Sequence, residues 1–326
     1  MADLARLSGR NFVIVGRAGM DIYPDPPGTR TEEAARFFAC LGGSSANIAV
    51  ALVRQGCAAD LVTSVSDDAI GRFCLNELDR YGVGRAFVKT VGGEARTSLA
   101  VVESRVEDHQ SVIYRNGAAD FEMSCADIAA VDFARYSALI TTGTVLAAEP
   151  SRAAAFDAFD RARDAGLPVI FDIDYRPYSW VSAEAAAETY SRAAGLCDVI
   201  VGNDVEFGFM AGGYEHGLDR ARALARDGTG IVVYKMGEKG AITLTPDGEF
   251  ATGIYPVTAL KPTGAGDSFM GGFIAALAAG RDLRDAVLRG SASASIVVSR
   301  VGCAPAMPTT AELDAFLAER PGATAA

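Results

Sequence analysis

A chain of 326 residues that is 50 % hydrophobic is long enough to bury a sizeable core. Its formal charge of −11, with no Lys/Arg run, argues against a nucleic-acid partner, which needs a basic face. Six scattered cysteines without a CxxC pair, and only two histidines, leave little material for a disulfide framework, a structural zinc or a Ser-His-Asp triad. His109 and His216 are expected in surface loops. The N-terminus lacks the basic start and long apolar core of a signal peptide, and no apolar run approaches a membrane span, so a soluble, cytoplasmic protein is expected.

In chain order, residues 12–15 read as a strand leading through VIVGRAGMD to Asp21, which is either a sugar-hydroxyl ligand or a turn former. LGGSSANIAVALVRQG, residues 41–56, places Gly42 and Gly43 before a helix that Ser44 or Ser45 caps and Gly56 ends. Asn47 in its first turns carries both a donor and an acceptor, which suits a pair of polyol hydroxyls; a plain capped helix start explains the same residues. Further strands are expected at 61–65, 138–141, 169–173, 199–201 and 231–234, with helices at 46–55, 72–80, 152–164, 183–194, 218–226 and 286–298. That alternation predicts a parallel α/β sheet in a three-layer αβα sandwich, one domain over 1–326. Segments 21–41 and 84–120 break the rhythm with alternating patterns, and are expected to form a small antiparallel sheet on the rim, serving as a lid, a subunit contact or both. Tyr114 and Arg115 end one of its strands, where they either meet the substrate and offer it a second cation or form an ordinary solvated strand end.

FDIDYRPYSW, residues 171–180, runs from a buried strand into a loop expected to expose Asp174, Arg176 and Trp180. Arg176 either binds a phosphate or carboxylate or is salt-bridged within its own loop. In CDVIVGNDVEF, residues 197–207, Asn203 and Glu206 form an Asn-x-x-Glu capping box or hold Mg²⁺ through water. YKMGEKGAITL, residues 234–244, is a hairpin whose Lys235 and Gly237 either face nucleotide phosphates or only turn the chain. No GxxxxGK[ST] or GxGxxG is present.

The most informative stretch is KPTGAGDSFMGGF, residues 261–273, where Gly264, Ala265, Gly266 and Asp267 open a buried helix. Unpaired N–H groups at a helix start, with the positive end of its dipole, suit a phosphoryl group; a glycine-rich cap is the simpler alternative. Asp267 is placed to deprotonate an attacking hydroxyl, with the dipole expected to keep it ionised.

Together, the motifs at 42–56 and 262–273 resemble the two signatures of the ribokinase-like (PfkB) carbohydrate kinases, and the resemblance spans nearly the whole chain. It implies a ribokinase-like fold with ATP and Mg²⁺, Asp267 as base, Gly264, Ala265 and Gly266 as anion hole, and Asp21, Gly42, Gly43 and Asn47 on the sugar. It also implies that Asn203 and Glu206 serve Mg²⁺-phosphate and that the rim strands form a lid. GRAGMDIYP, YRNGAAD and FDIDYRPYSW look most like the branch acting on 5-dehydro-2-deoxygluconate in inositol catabolism, with the 2-keto-3-deoxygluconate branch close behind. Arg115 and Arg176 would then face the substrate carboxylate or the transferred phosphate. The competing expectations are a neutral-sugar kinase and a non-catalytic sensor of sugar acids or nucleotides. The extra C-terminal domain of some relatives is not expected. Many relatives carry an acidic residue for a monovalent cation where this chain has Lys261, so independence of K⁺ is expected.

Overall fold

Strands buried on both faces need helices above and below them, and the apolar runs of this chain are spaced for that arrangement. The computed structural model describes residues 3–320, 322 and 323. Of the terminal PGATAA tail, expected to fray, Pro321 and residues 324–326 lie outside the described residues.

The first part of the chain runs β1 (Asn11–Val15), β2 (Gly19–Asp25), β3 (Arg36–Gly42), α1 (Ser44–Arg54), β4 (Ala58–Ser66), α2 (Ala69–Tyr81), β5 (Gly84–Val91), β6 (Ser98–Val102), β7 (Ser111–Tyr114), α3 (Cys125–Ala129) and β8 (Ala138–Thr142). It continues with α4 (Ser151–Asp164), β9 (Val169–Asp172), α5 (Ala183–Ala194), β10 (Val199–Asn203), α6 (Asp204–Met210), α7 (Gly217–Arg226) and β11 (Ile231–Lys235). The chain then closes with β12 (Ala241–Thr245), β13 (Gly248–Thr252), α8 (Ala265–Ala278), α9 (Leu283–Val298) and α10 (Thr310–Glu319).

Among the described residues, nine strands form one sheet in the order β13-β12-β11-β10-β9-β8-β1-β4-β5. Neighbours from β11 to β5 are parallel, and β12 and β13 add an antiparallel edge. One core packs α1, α2, α8 and α9 on one face, and a second packs α4 to α7 on the other, which makes the expected αβα sandwich. The chain leaves β1 toward β4 and returns on the opposite side at β8, so the strand order reverses between β1 and β8. The crevice outside the carboxyl ends of two such strands is where α/β sheets bind ligands.

A second sheet has the order β3-β2-β6-β7. It differs from expectation in two respects. The small sheet is mixed, because β2 and β6 run parallel while β2–β3 and β6–β7 are antiparallel. Residues Gly84–Val91 do not belong to it: β5 pairs parallel with β4 at the edge of the large sheet. Only two residues separate α2 from β5, and a right-handed crossover that short lands beside the strand it left. Alternating apolarity identifies a strand but not its sheet.

Candidate active site

Helix α8 is preceded by Gly264 as its N-cap, whose φ of +83° lies in the left-handed region that glycine tolerates, and no side chain caps it. A Cβ at Gly264 would stand 2.8 Å from Cys303 Sγ, so this turn packs only without a side chain. The first helical bond joins the Ser268 N–H to the Gly264 carbonyl, leaving the N–H groups of Ala265, Gly266 and Asp267 to a ligand. Beside them lies a cation. Lys235, at the end of β11, carries its ammonium 3.5 Å from where a Gly266 Cβ would be and 5.4 Å from the centre of the Phe269 ring.

Helices α1 and α8 pack so closely that a Cβ on Gly271 would stand 2.3 Å from that of Ala51. This brings the two sequence motifs together, and Asn47 Nδ2 donates to Asp267 Oδ2 at 2.8 Å. The other amide atom, Asn47 Oδ1, is buried without a partner and remains an acceptor for a hydroxyl. Burial, then the neighbouring Asp174 charge, push Asp267 up to about 7, against the Asn47 hydrogen bond and the charges of Arg176 and Arg17. The expected full ionisation is therefore corrected: the carboxyl titrates near neutrality, where a general base works best.

The cap of α1 also differs from expectation. Gly43, with φ +90°, is the N-cap, and neither serine caps the helix. Ser44 and Ser45 point inward, where their hydroxyls meet Thr142 at 3.3 and 3.1 Å. The Arg17 carbonyl instead accepts the Ala46 N–H, because the chain leaving β1 passes directly over the helix start. Asp21 on β2 packs against Gly42, where a Cβ would be 2.0 Å from Oδ1. Burial raises Asp21 to about 6, opposed by Arg17, by a Tyr23 hydroxyl at 3.4 Å and by Lys261. Lys261 is completely buried and its ammonium donates to the Thr263 carbonyl.

The three arginines differ in their pairing. Arg176 is ion-paired to Asp174 at 2.7 Å and donates to the Tyr175 carbonyl, the arrangement within its own loop. Asp174, expected to be exposed, is buried with φ +38°, and its Oδ2 has no hydrogen-bond partner. Burial pushes Asp174 up, but Arg176, a Ser44 hydrogen bond, Arg17 and Arg115 together hold it below the usual carboxylate range. Arg115 is buried, donates to Asp120 and to the Thr144 carbonyl, and stacks 4.1 Å from the centre of Phe121, leaving Nε and Nη1 unpartnered. Tyr114 is 63 % exposed and makes no hydrogen bond to this group among the described residues. Arg17, two residues past β1 at the strand-order reversal, joins the site without a motif of its own, and its place at the carboxyl end of a strand, like that of Arg176, is the one sequence signal for it. Asp172 is buried at the end of β9, and burial raises it well above the carboxylate range.

Asn203 and Glu206 form a complete capping box on α6: Asn203 Oδ1 accepts the Glu206 N–H at 2.9 Å and Glu206 Oε2 accepts the Asn203 N–H at 2.8 Å. Glu206 Oε1 accepts the Tyr175 N–H at 3.2 Å. Burial raises Glu206 above its ordinary range, against the charge of Lys235, so it faces the same space as α8. No group of three or more His, Cys, Asp or Glu side chains able to hold a metal exists among the described residues. Around Gly237, with φ +58°, nothing beyond the local chain lies within 4 Å of the Cβ position.

The profile described as "pfkB family carbohydrate kinase" matches residues 10–310. This chain belongs to the PfkB family of carbohydrate kinases. The PfkB kinase is 37 % identical over 313 residues to the 5-dehydro-2-deoxygluconokinase of Photobacterium profundum, spanning 94 % of this chain and 95 % of that protein. Its identity to the 5-dehydro-2-deoxygluconokinase of Geobacillus kaustophilus is also 37 %, over 97 % of this chain and 96 % of the relative. Among solved structures, the fructokinase of Vibrio cholerae with fructose, ADP and calcium ion superposes with a TM-score of 0.83 at 27 % identity, covering 95 % of this chain and 99 % of that one. The PfkB protein of a Polaromonas species superposes with a TM-score of 0.80 at 28 % identity, over 94 % and 99 % of the two chains. No helix of the described residues is long and apolar enough to cross a membrane.

Proposed function

We propose that this PfkB kinase transfers the γ-phosphoryl group of ATP to the terminal hydroxyl of a sugar acid, 5-dehydro-2-deoxy-D-gluconate, giving the 6-phosphate in cytoplasmic inositol catabolism. The observation that carries the reading is the Asn47–Asp267 bond, which sets a carboxyl titrating near neutrality beside the uncapped start of α8. The named relatives, at 37 % identity over nearly the full length, support the choice of acid.

In this mechanism Asp21, Gly42, Gly43 and Asn47 hold the sugar hydroxyls, and Arg115 and Arg176 supply positive charge near the acid. Asp267 takes the proton as the terminal oxygen attacks the γ-phosphorus in line and ADP leaves. The N–H groups of Ala265 and Gly266, with Lys235, receive the charge that spreads over the transferring oxygens. Lys235 and the open turn at Gly237 line the nucleotide side. Mg²⁺, when bound, neutralises phosphate charge; Glu206 and Asn203 suit it through water, since both Glu206 oxygens already accept backbone N–H groups. The small sheet, tied to the residues after β1 by the Arg17–Ser98 hydrogen bond, acts as a lid that excludes water. Its exposed Phe37, Phe38 and Val112 suit a homodimer contact through the lid. Buried Lys261 supplies the charge that a monovalent cation gives other members, so activity is independent of K⁺.

The test is an ADP-release screen over sugar acids and neutral sugars. We expect 5-dehydro-2-deoxy-D-gluconate to give the highest kcat/KM; a neutral sugar turning over better would overturn the substrate, and binding without ADP release would overturn the activity.

A further inference from the structure

We infer that Arg17 binds the carboxylate of the acceptor substrate, an inference that rests on the sugar-acid reading above. Arg17 is only 8 % exposed. Its guanidinium makes one hydrogen bond, from Nη1 to the Ser98 hydroxyl on β6 at 3.3 Å, and its buried Nε has no partner. No carboxylate among the described residues forms an ion pair with it. Burying a cation without a direct counter-ion is costly, so such groups are normally paired.

The neighbouring arginines lack this deficit. Arg176 is neutralised by Asp174 and Arg115 by Asp120, each through a direct ion pair. Each of their charges is offset by a direct carboxylate counter-ion, whereas that of Arg17 is not. Its field reaches Asp21, Asp174 and Asp267. The site therefore already contains the carboxylates of the acceptor side, and none of them closes on the guanidinium.

Position identifies the ligand. Arg17 follows β1 at the point where the strand order reverses, precedes Asp21 by four residues, and touches the small sheet through Ser98. All three place it on the acceptor side. The phosphoryl side has its own cations and donors in Lys235 and the start of α8. A carboxylate offers the two parallel oxygens that a guanidinium pairs with bidentately, and a ketose without an acid group does not. Arg17 thus separates sugar acids from neutral sugars on one scaffold.

The experiment compares wild type, Arg17→Gln and Arg17→Lys with 5-dehydro-2-deoxy-D-gluconate and D-fructose as acceptors. Loss of a charge-assisted pair should raise the KM for the acid by about 10- to 100-fold in Arg17→Gln. The KM for ATP should stay within about threefold, a range too small for a lost charged contact. The preference for acid over fructose in kcat/KM should shrink by a similar factor. An unchanged acid KM overturns the assignment, and so does a fall in kcat at constant acid KM, which would put the guanidinium on the transferring phosphoryl group. If Arg17→Gln does not fold, Arg17→Lys carries the test: it keeps the charge but not the fork, so a wild-type acid KM overturns the assignment. A wild-type enzyme that itself prefers fructose refutes the sugar-acid reading and this inference with it; a wild type that prefers the acid beside an Arg17→Gln variant that keeps the same preference refutes Arg17 alone.

Discussion

Asn47 and Asp267 lie 220 positions apart and are joined by a 2.8 Å hydrogen bond between the first turns of α1 and α8. The bond favours the ionised carboxyl, while burial and Asp174 oppose ionisation and hold the group at about 7. Activity that needs the ionised form should rise with pH through that value. Asn47→Ala should move the acid limb of kcat/KM to higher pH. Asp174→Asn should move it lower, because it removes a like charge and frees Arg176; asparagine also accepts the φ of +38° at that position. Profiles of the two variants that shift in the same direction would contradict this account. Asp267→Asn should lower kcat by about 100-fold or more while the fold persists.

The same carboxyls make stability depend on pH. Asp21 rises to about 6 and Asp267 to about 7, from ordinary values of 3.8. Raised carboxyls contribute stability that is complete below the unfolded pKa and is lost as pH climbs through the folded one. The ligand-free protein should therefore lose this part of its Tm between about pH 4 and pH 7.5. Thermal melts of Asp267→Asn should show a shallower decline across that window, and an identical slope would refute the burial argument.

Gly42 and Gly43 separate backbone strain from loss of binding. An alanine at 43 would take φ +90° and place its Cβ 2.5 Å from the Arg17 carbonyl oxygen, both backbone obstacles. Urea unfolding should show a loss of about 1–3 kcal/mol. At Gly42 the obstacle is the Asp21 side chain, 2.0 Å away. Gly42→Ala should displace that carboxylate and raise the acceptor KM, with a smaller loss of stability than Gly43→Ala.

Lys261 is fully buried, with its ammonium on the Thr263 carbonyl and its charge felt at Asp21 and Cys303. Assays at equal ionic strength should show the same rate in K⁺ as in tetramethylammonium. Lys261→Ala should lower kcat markedly; a variant with full kcat would mean that the lysine fills space without supplying charge.

Phe37 and Phe38 are each 45 % exposed on β3. If the lid joins two copies, sedimentation velocity should show a dimer that Phe37→Ser with Phe38→Ser converts to monomer. A monomeric wild type would remove the contact.

Much of the fold was legible because its signals are local. The apolar runs behind β1, β8, β9, β10 and β11 and the helical stretches behind α4, α5 and α7 need only a neighbour's periodicity to be recognised. The start of α8 was legible too, since glycines followed by an aspartate describe a helix mouth without reference to the rest of the chain. Gly84–Val91 was misplaced because its pattern names a strand, while its sheet depends on the crossover from α2. Ser44 and Ser45 looked like caps because residue type suggests a cap wherever a serine stands at a helix start; β8 supplied Thr142 as a competing partner, and Arg17 supplied the carbonyl.

The amino-acid sequence by itself determined the αβα layering, the two glycine-bearing helix starts and the carboxyl at the second of them, because periodicity and turn chemistry act within a few residues. Only the tertiary structure decided which charges neutralise one another. It closed Arg176 on Asp174 and Arg115 on Asp120, buried Lys261, and left Arg17 without a counter-ion. Coulomb pairing and desolvation depend on distances between side chains that are remote in sequence, and folding alone sets those distances.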